Sequence, residues 1–192
     1  MSAPTPDRVL TVPNALSVLR LALIPVFCYL MVVTHAYGWA TAVLMFSGFS
    51  DWADGKIARL MDQYSRLGAL LDPAVDRIYM VVVPVVFALA GVIGWPVIAV
   101  RLGRDLLMAA MLPVLRTRGL TALPVIYLGK AATFSLMSAF PLILLGQADA
   151  TWGRVVAAIG WGFLIWGLWM YLWSFVVYLV QFRLVLRMPR AA

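Results

Sequence analysis

Asp51, Asp54, Asp72 and Asp76 are four carboxylates set at helical intervals on either side of a short polar stretch, in a chain that is otherwise strongly apolar. All eight acidic residues are aspartates, and five of them fall between positions 51 and 76. A carboxylate in or near hydrocarbon is costly unless it is paired, hydrated or metal-bound, so this clustering calls for a chemical account. Asp51 and Asp54 are three residues apart and Asp72 and Asp76 four, and both intervals put two side chains on one helix face. Two antiparallel helices joined by a turn around Met61–Leu67 would let all four converge. Four like charges so placed repel, so protonation or bound cations must offset them. Oxygen-only donors suit hard divalent ions such as Mg²⁺ or Mn²⁺, and two ions would balance four carboxylates. No His or Cys lies nearby in sequence, which argues against a dedicated zinc site.

Paired metals serve phosphoryl chemistry or cation transport, and the flanking residues separate the two. Gly55, Ala58 and Gly68 are small enough to let another group approach the helix backbones. Arg59 adds a forked cation suited to a phosphate. Small residues in membrane helices usually form packing surfaces. Interleaved with metal-type carboxylates and an arginine, they point to a diphosphate.

The elements that must position these groups are membrane helices. With 64% hydrophobic and 12% charged residues over 192 positions, and a mean hydropathy of +0.96, the composition excludes an ordinary soluble domain. Each span needs about 20 apolar residues. Six are expected, at roughly 14–34, 38–58, 69–93, 95–115, 124–147 and 152–182, in an all-α six-helix membrane bundle. Residues 1–13 then form a short juxtamembrane segment and 183–192 a basic tail. No cleavable leader is expected, because Asn14–Leu30 is too long and lacks a small-residue cleavage site. Read along the alternating ends, fourteen of the fifteen Lys and Arg side chains fall on or near one side, with Arg154 on the other. The positive-inside rule therefore places both termini and the Asp-rich turn in the cytoplasm of a multi-pass cell-membrane protein. The +7 net charge then forms a cytoplasmic rim that attracts anionic lipid or a phosphorylated substrate. No nucleic-acid partner is expected.

Within that rim, Arg101, Arg104 and Lys130, with Arg116 and Arg118 beside the following loop, could ring a phosphate-bearing acceptor. Topology and snorkelling are the competing account, strongest for Arg116 and Arg118. Cys28 reads as a small buried hydrophobe, His35 as an interfacial residue and not a base. Trp161, Trp166, Trp169 and Trp173, with Tyr171 and Tyr178, read as packing and interfacial anchors of the last span.

The run Asp51-x-x-Asp54-Gly55-x-x-Ala58-Arg59, then eight residues, Gly68, three, Asp72, three and Asp76, resembles the signature of the CDP-alcohol phosphotransferases. Pro13-Asn14-Ala15-Leu16-Ser17, Arg20 and Pro25 are similar to that family's N-terminal segment, so the resemblance covers nearly the whole chain. It implies that Asp51, Asp54 and Asp72 hold metal and that Asp76 lies near the second ion and acts as general base. Asp54, Gly55, Ala58, Arg59 and Gly68 would surround the CDP moiety of CDP-diacylglycerol. Relatives using glycerol 3-phosphate tend to carry Gly-Lys-x-Lys-Thr in the fifth span, where this chain has Gly129-Lys130-Ala131-Ala132-Thr133. The single lysine resembles more closely the actinobacterial cardiolipin synthase branch, whose acceptor is phosphatidylglycerol. Glycerol 3-phosphate is the alternative, and a homodimer is implied by family habit alone. A cation transporter, the reading from another class, would place acids deep in several spans with an internal repeat. Neither is evident here.

Overall fold

The computed structural model describes residues 11–61, 66–120, 124, 126–148 and 150–187, without the side chains of 12–13, 52, 54–61, 66–67 and 69. Among the described residues six helices run in order: α1 Val12–Val32, α2 Tyr37–Met61, α3 Arg66–Leu89, α4 Trp95–Arg116, α5 Tyr127–Leu145 and α6 Thr151–Arg187. No strand occurs among the described residues. The expected segments are all present, with ends shifted by a few residues. The largest differences lie in α6, which continues to Arg187, and in α3, which begins at Arg66 and stops at Leu89. By length and apolarity α1, α5 and α6 can cross a membrane. The other three carry the charged residues that lower their hydropathy: Asp51 in α2, Asp72 and Asp76 in α3, Arg101 and Arg104 in α4.

Local chemistry sets the helix ends. Thr11 caps α1, its hydroxyl accepting from the Asn14 amide at 3.4 Å, and Pro13 sits in the first turn, where its missing N–H is harmless. His35 closes the α1–α2 turn with φ at 50°, its Nδ1 3.4 Å from the Tyr37 hydroxyl, and it is exposed as expected of an interfacial residue. Gly119, at φ 77°, ends α4 in the left-handed conformation, with the Leu120 amide returning to the Leu115 carbonyl at 3.1 Å. Pro73 lies in the interior of the third helix. Because α3 starts at Arg66, Pro73 is two turns in and removes an interior donor right beside Asp72.

The chain forms two compact units, residues 1–93 and 94–192. In the first, α1 packs against both α2 and α3, with Phe27 and Met31 of α1 and Phe87 of α3 buried. The Phe27 and Phe87 rings lie 6.4 Å apart. In the second, α6 packs along α5 and also meets α4. The buried residues of α6 recur every three or four positions: Gly160, Leu164, Gly167, Tyr171, Ser174 and Tyr178. Trp166, Trp169 and Trp173 occupy the opposite, exposed face. The aromatic residues of the last span therefore divide into buried tyrosines and outward tryptophans.

The α5–α6 contact depends on missing side chains. A Cβ on Gly160 would stand 2.7 Å from the Ile143 amide nitrogen, and one on Gly167 would stand 3.0 Å from Ser135. Ser135 uses this proximity to donate to the Phe163 carbonyl at 2.8 Å. Gly160→Ala should therefore destabilise the protein by about 1–3 kcal/mol, because backbone must move to admit the methyl group. Thermal unfolding in detergent checks this, and an unchanged Tm would show that the two helices can separate freely.

Candidate active site

Three helices of the first unit build the Asp-rich site. α2 supplies Asp51, α3 supplies Asp72 and Asp76 one turn apart, and α1 supplies Ser17 and Arg20 from a single face. The Arg20 guanidinium lies among the carboxylates: one terminal nitrogen is 2.5 Å from Asp51 Oδ1 and 3.0 Å from Asp76 Oδ1, and the other is 3.6 Å from Asp72 Oδ1. Ser17, fully buried, donates its hydroxyl to the same Asp72 oxygen. Asp51, Asp72 and Asp76 thus converge as their spacing predicts, and they do so around a cation from a third helix.

A second hydroxyl fixes the far end of Arg20. The Tyr79 hydroxyl donates to the Arg20 carbonyl at 2.9 Å and lies 2.8 Å from Ser47 Oγ. A phenol has one proton, so Ser47 is the donor in the second bond. Tyr79 on α3 therefore ties α1 and α2 together beneath the carboxylates. Sequence reading counts Arg20 among the topological cations and, with Ser17, in the family-like N-terminal segment, but assigns neither a chemical role and passes over Ser47 and Tyr79. The available signal was a charged residue three positions from a serine within an apolar run.

Burial orders the charges. Arg20 is 2% exposed, whereas the Asp51, Asp72 and Asp76 side chains are 49%, 39% and 45% exposed. The cation lies at the floor, and the open side of the site presents carboxylate oxygen. Among the described residues, one guanidinium faces three carboxylates, a surplus of two negative charges. Among the described residues no three acidic side chains group closely enough to hold an ion by themselves, and Arg20 stands between them. Oxygen donors with surplus negative charge are nevertheless the set that a hard divalent ion requires. Gly68 is buried in the third helix. Asp54, Gly55, Ala58 and Arg59 are carried by α2, and their surroundings lie outside the described residues.

The second unit holds the other candidate cations. Arg104 stacks on the Tyr171 ring, 4.1 Å from its centroid, and lies 5.7 Å from that of Tyr178. Its terminal nitrogens donate to Asp105 at 3.2 Å and to Ser174 at 3.3 Å, while the Tyr171 hydroxyl donates to Asp105. Tyr178 also accepts from the Ile126 amide at 3.4 Å and lies against Gly129, so the start of α5 meets the same tyrosine as Arg104. Lys130, next along, is exposed, with its ammonium 5.6 Å from the Tyr127 ring centroid. Arg101 is buried one turn before Arg104. Arg116 ends α4, about 18 Å along the axis from Arg104, and Arg118 lies in the turn beyond. The structure thus associates Arg104 with the Gly129–Lys130 segment and leaves Arg116 at a different level.

Comparison with known proteins places this geometry in a family. The family model for CDP-alcohol phosphatidyltransferase matches residues 10–184. A Mycobacterium tuberculosis protein provisionally named cardiolipin synthase is 62% identical over 187 residues, 97% of this chain and 90% of that protein. A Streptomyces coelicolor protein named cardiolipin synthase (CMP-forming) is 42% identical over 191 residues, 97% of this chain and 89% of its own length. An Arabidopsis thaliana protein named CDP-diacylglycerol–glycerol-3-phosphate 3-phosphatidyltransferase 1 is 31% identical across 90% of this chain and 63% of its own length. The match runs through the helices that carry Arg20, Asp51, Asp72 and Asp76, and the chain belongs to the CDP-alcohol phosphatidyltransferase family of transferases.

Proposed function

We propose that the protein moves a phosphatidyl group from CDP-diacylglycerol to the free hydroxyl of phosphatidylglycerol, forming cardiolipin and CMP. The observation that carries the reaction class is the convergence of Asp51, Asp72 and Asp76 from two helices of the matched region. The acceptor reading is supported by the name of the 42% identical relative and by the single lysine in Gly129-Lys130-Ala131-Ala132-Thr133. Phosphatidylglycerol carries one phosphodiester charge, for which one ammonium is a better match than two. The plant relative's name favours glycerol 3-phosphate as the second reading.

In this reading Asp51, Asp54, Asp72 and Asp76 hold Mg²⁺ or Mn²⁺, most simply two ions. When bound, such ions neutralise the charge that develops on the diphosphate. Asp54, Gly55, Ala58, Arg59 and Gly68 receive the CDP moiety. Asp76 takes the proton from the acceptor hydroxyl. The acceptor oxygen then bonds to the phosphorus that bears the diacylglycerol, the bond from that phosphorus to the bridging oxygen breaks, and CMP leaves with the bridging oxygen. Arg101, Arg104 and Lys130 orient the acceptor phosphate, and Arg116 and Arg118 keep it near the membrane surface. All six helices span the cell membrane with the carboxylates and both termini on the cytoplasmic side, as the positive-inside pattern requires. There the donor keeps its headgroup in water and its chains in lipid.

Purified protein in detergent, given CDP-diacylglycerol, Mn²⁺ and either phosphatidylglycerol or glycerol 3-phosphate, tests the reading by mass spectrometry of the lipid products. Cardiolipin from phosphatidylglycerol alone is expected. Phosphatidylglycerophosphate instead would transfer the assignment to the second acceptor.

A further inference from the structure

We propose that Arg20 is a built-in counter-ion of the carboxylate site, which holds Asp51, Asp72 and Asp76 together before a divalent cation binds and weakens the uptake of that cation. The inference rests on reading the carboxylates as a metal centre. It goes beyond that reading in giving a residue of α1 control over how readily the centre fills.

Three observations carry it. The guanidinium reaches carboxylates on both α2 and α3, at 2.5, 3.0 and 3.6 Å, so a single cation spans the site. Arg20 is 2% exposed, which removes it from contact with a lipid headgroup arriving at the open side and leaves ion pairing as its role. Its main-chain carbonyl accepts from Tyr79, which Ser47 of α2 also holds, so α1 cannot carry the charge away without breaking the Tyr79 bond. Arginine also keeps its proton under all physiological conditions, so the positive charge is permanent. An entering divalent cation therefore meets a fixed like charge a few ångströms from its ligands, in a setting screened less than bulk water. The same cation relieves the mutual repulsion of the carboxylates when no ion is bound. Arg20 is a positioning residue in this account. It acts through the three aspartates.

The test measures thermal unfolding of the purified full-length protein in detergent across a Mn²⁺ titration, after chelation and buffer exchange. Arg20→Met and Arg20→Gln should lower the Tm without ion and reduce the half-saturating Mn²⁺ concentration by about tenfold or more. Arg20→Lys, which retains the charge, should return half-saturation close to that of the unaltered protein. A neutral variant that folds only in the presence of Mn²⁺ supports the proposal, since the ion then supplies the charge that arginine supplied. A neutral variant that folds in neither condition counts against it. Unchanged half-saturation in both neutral variants overturns the proposal and leaves the metal centre intact. An unaltered protein whose Tm ignores Mn²⁺ as completely as Asp72→Asn does would instead remove the metal-centre reading, and the proposal with it.

Discussion

Asp76→Asn should lower kcat by about 10²–10⁴-fold, the range expected when a general base is removed, while CDP-diacylglycerol still binds. The geometry makes this substitution unusually clean. Asparagine keeps the shape of the side chain and an oxygen able to accept from the Arg20 nitrogen 3.0 Å away. Asp51 and Asp72 remain on that guanidinium, so the floor of the site should persist. Lost are one negative charge, which is also a proposed ligand to the ions, and the capacity to take a proton from the acceptor. CMP release over time gives the rate, and titration with CDP-diacylglycerol reports binding. Turnover close to that of the unaltered protein would exclude Asp76 as the base and pass the role to another carboxylate.

Removal of divalent ions should be the other large effect. Chelation followed by buffer exchange should abolish CMP release, and Mn²⁺ or Mg²⁺ should restore it. The described site has three carboxylates against one guanidinium and so repels a diphosphate unless further positive charge is present. Asp54→Asn should move two readouts together, raising the ion concentration needed and weakening CDP-diacylglycerol binding, because the proposed reading gives this aspartate both duties. Full activity in excess chelator would overturn the metal assignment. An Asp54→Asn protein with altered ion demand and normal donor affinity would confine Asp54 to the metal.

The architecture was legible because it rests on local signals. Six long apolar runs separated by short turns give six helices, and the turn residues His35, Gly91 and Gly119 take the left-handed conformations that stop them. The pairing of Asp72 with Asp76 was legible for the same reason, since an interval of four fixes a helix face. Contacts far apart in sequence left no such trace. Arg20 meets Asp76 across 56 positions and Tyr79 meets Arg20 across 59, and no periodicity encodes either pair. Arg104 illustrates a different gap. As a sequence it is one of several cations that could ring an acceptor phosphate, whereas in the fold Tyr171, Asp105 and Ser174 hold its plane in place.

Ser17, Arg20, Asp51, Asp72 and Asp76 all stand on helices, and none of them stands on a loop. Aspartate and serine are short, so their oxygens ride close to the helix axes and have little reach with which to correct a misalignment. A change in the tilt of α1 relative to α2 or α3 is therefore passed directly to the spacing of the charged groups. Helix tilt in a bilayer responds to hydrocarbon thickness. In the proposed six-span arrangement, the lipid around these helices would act mechanically on the distances within the site, and turnover in thin and thick bilayers should then differ even when donor, acceptor and metal are held constant.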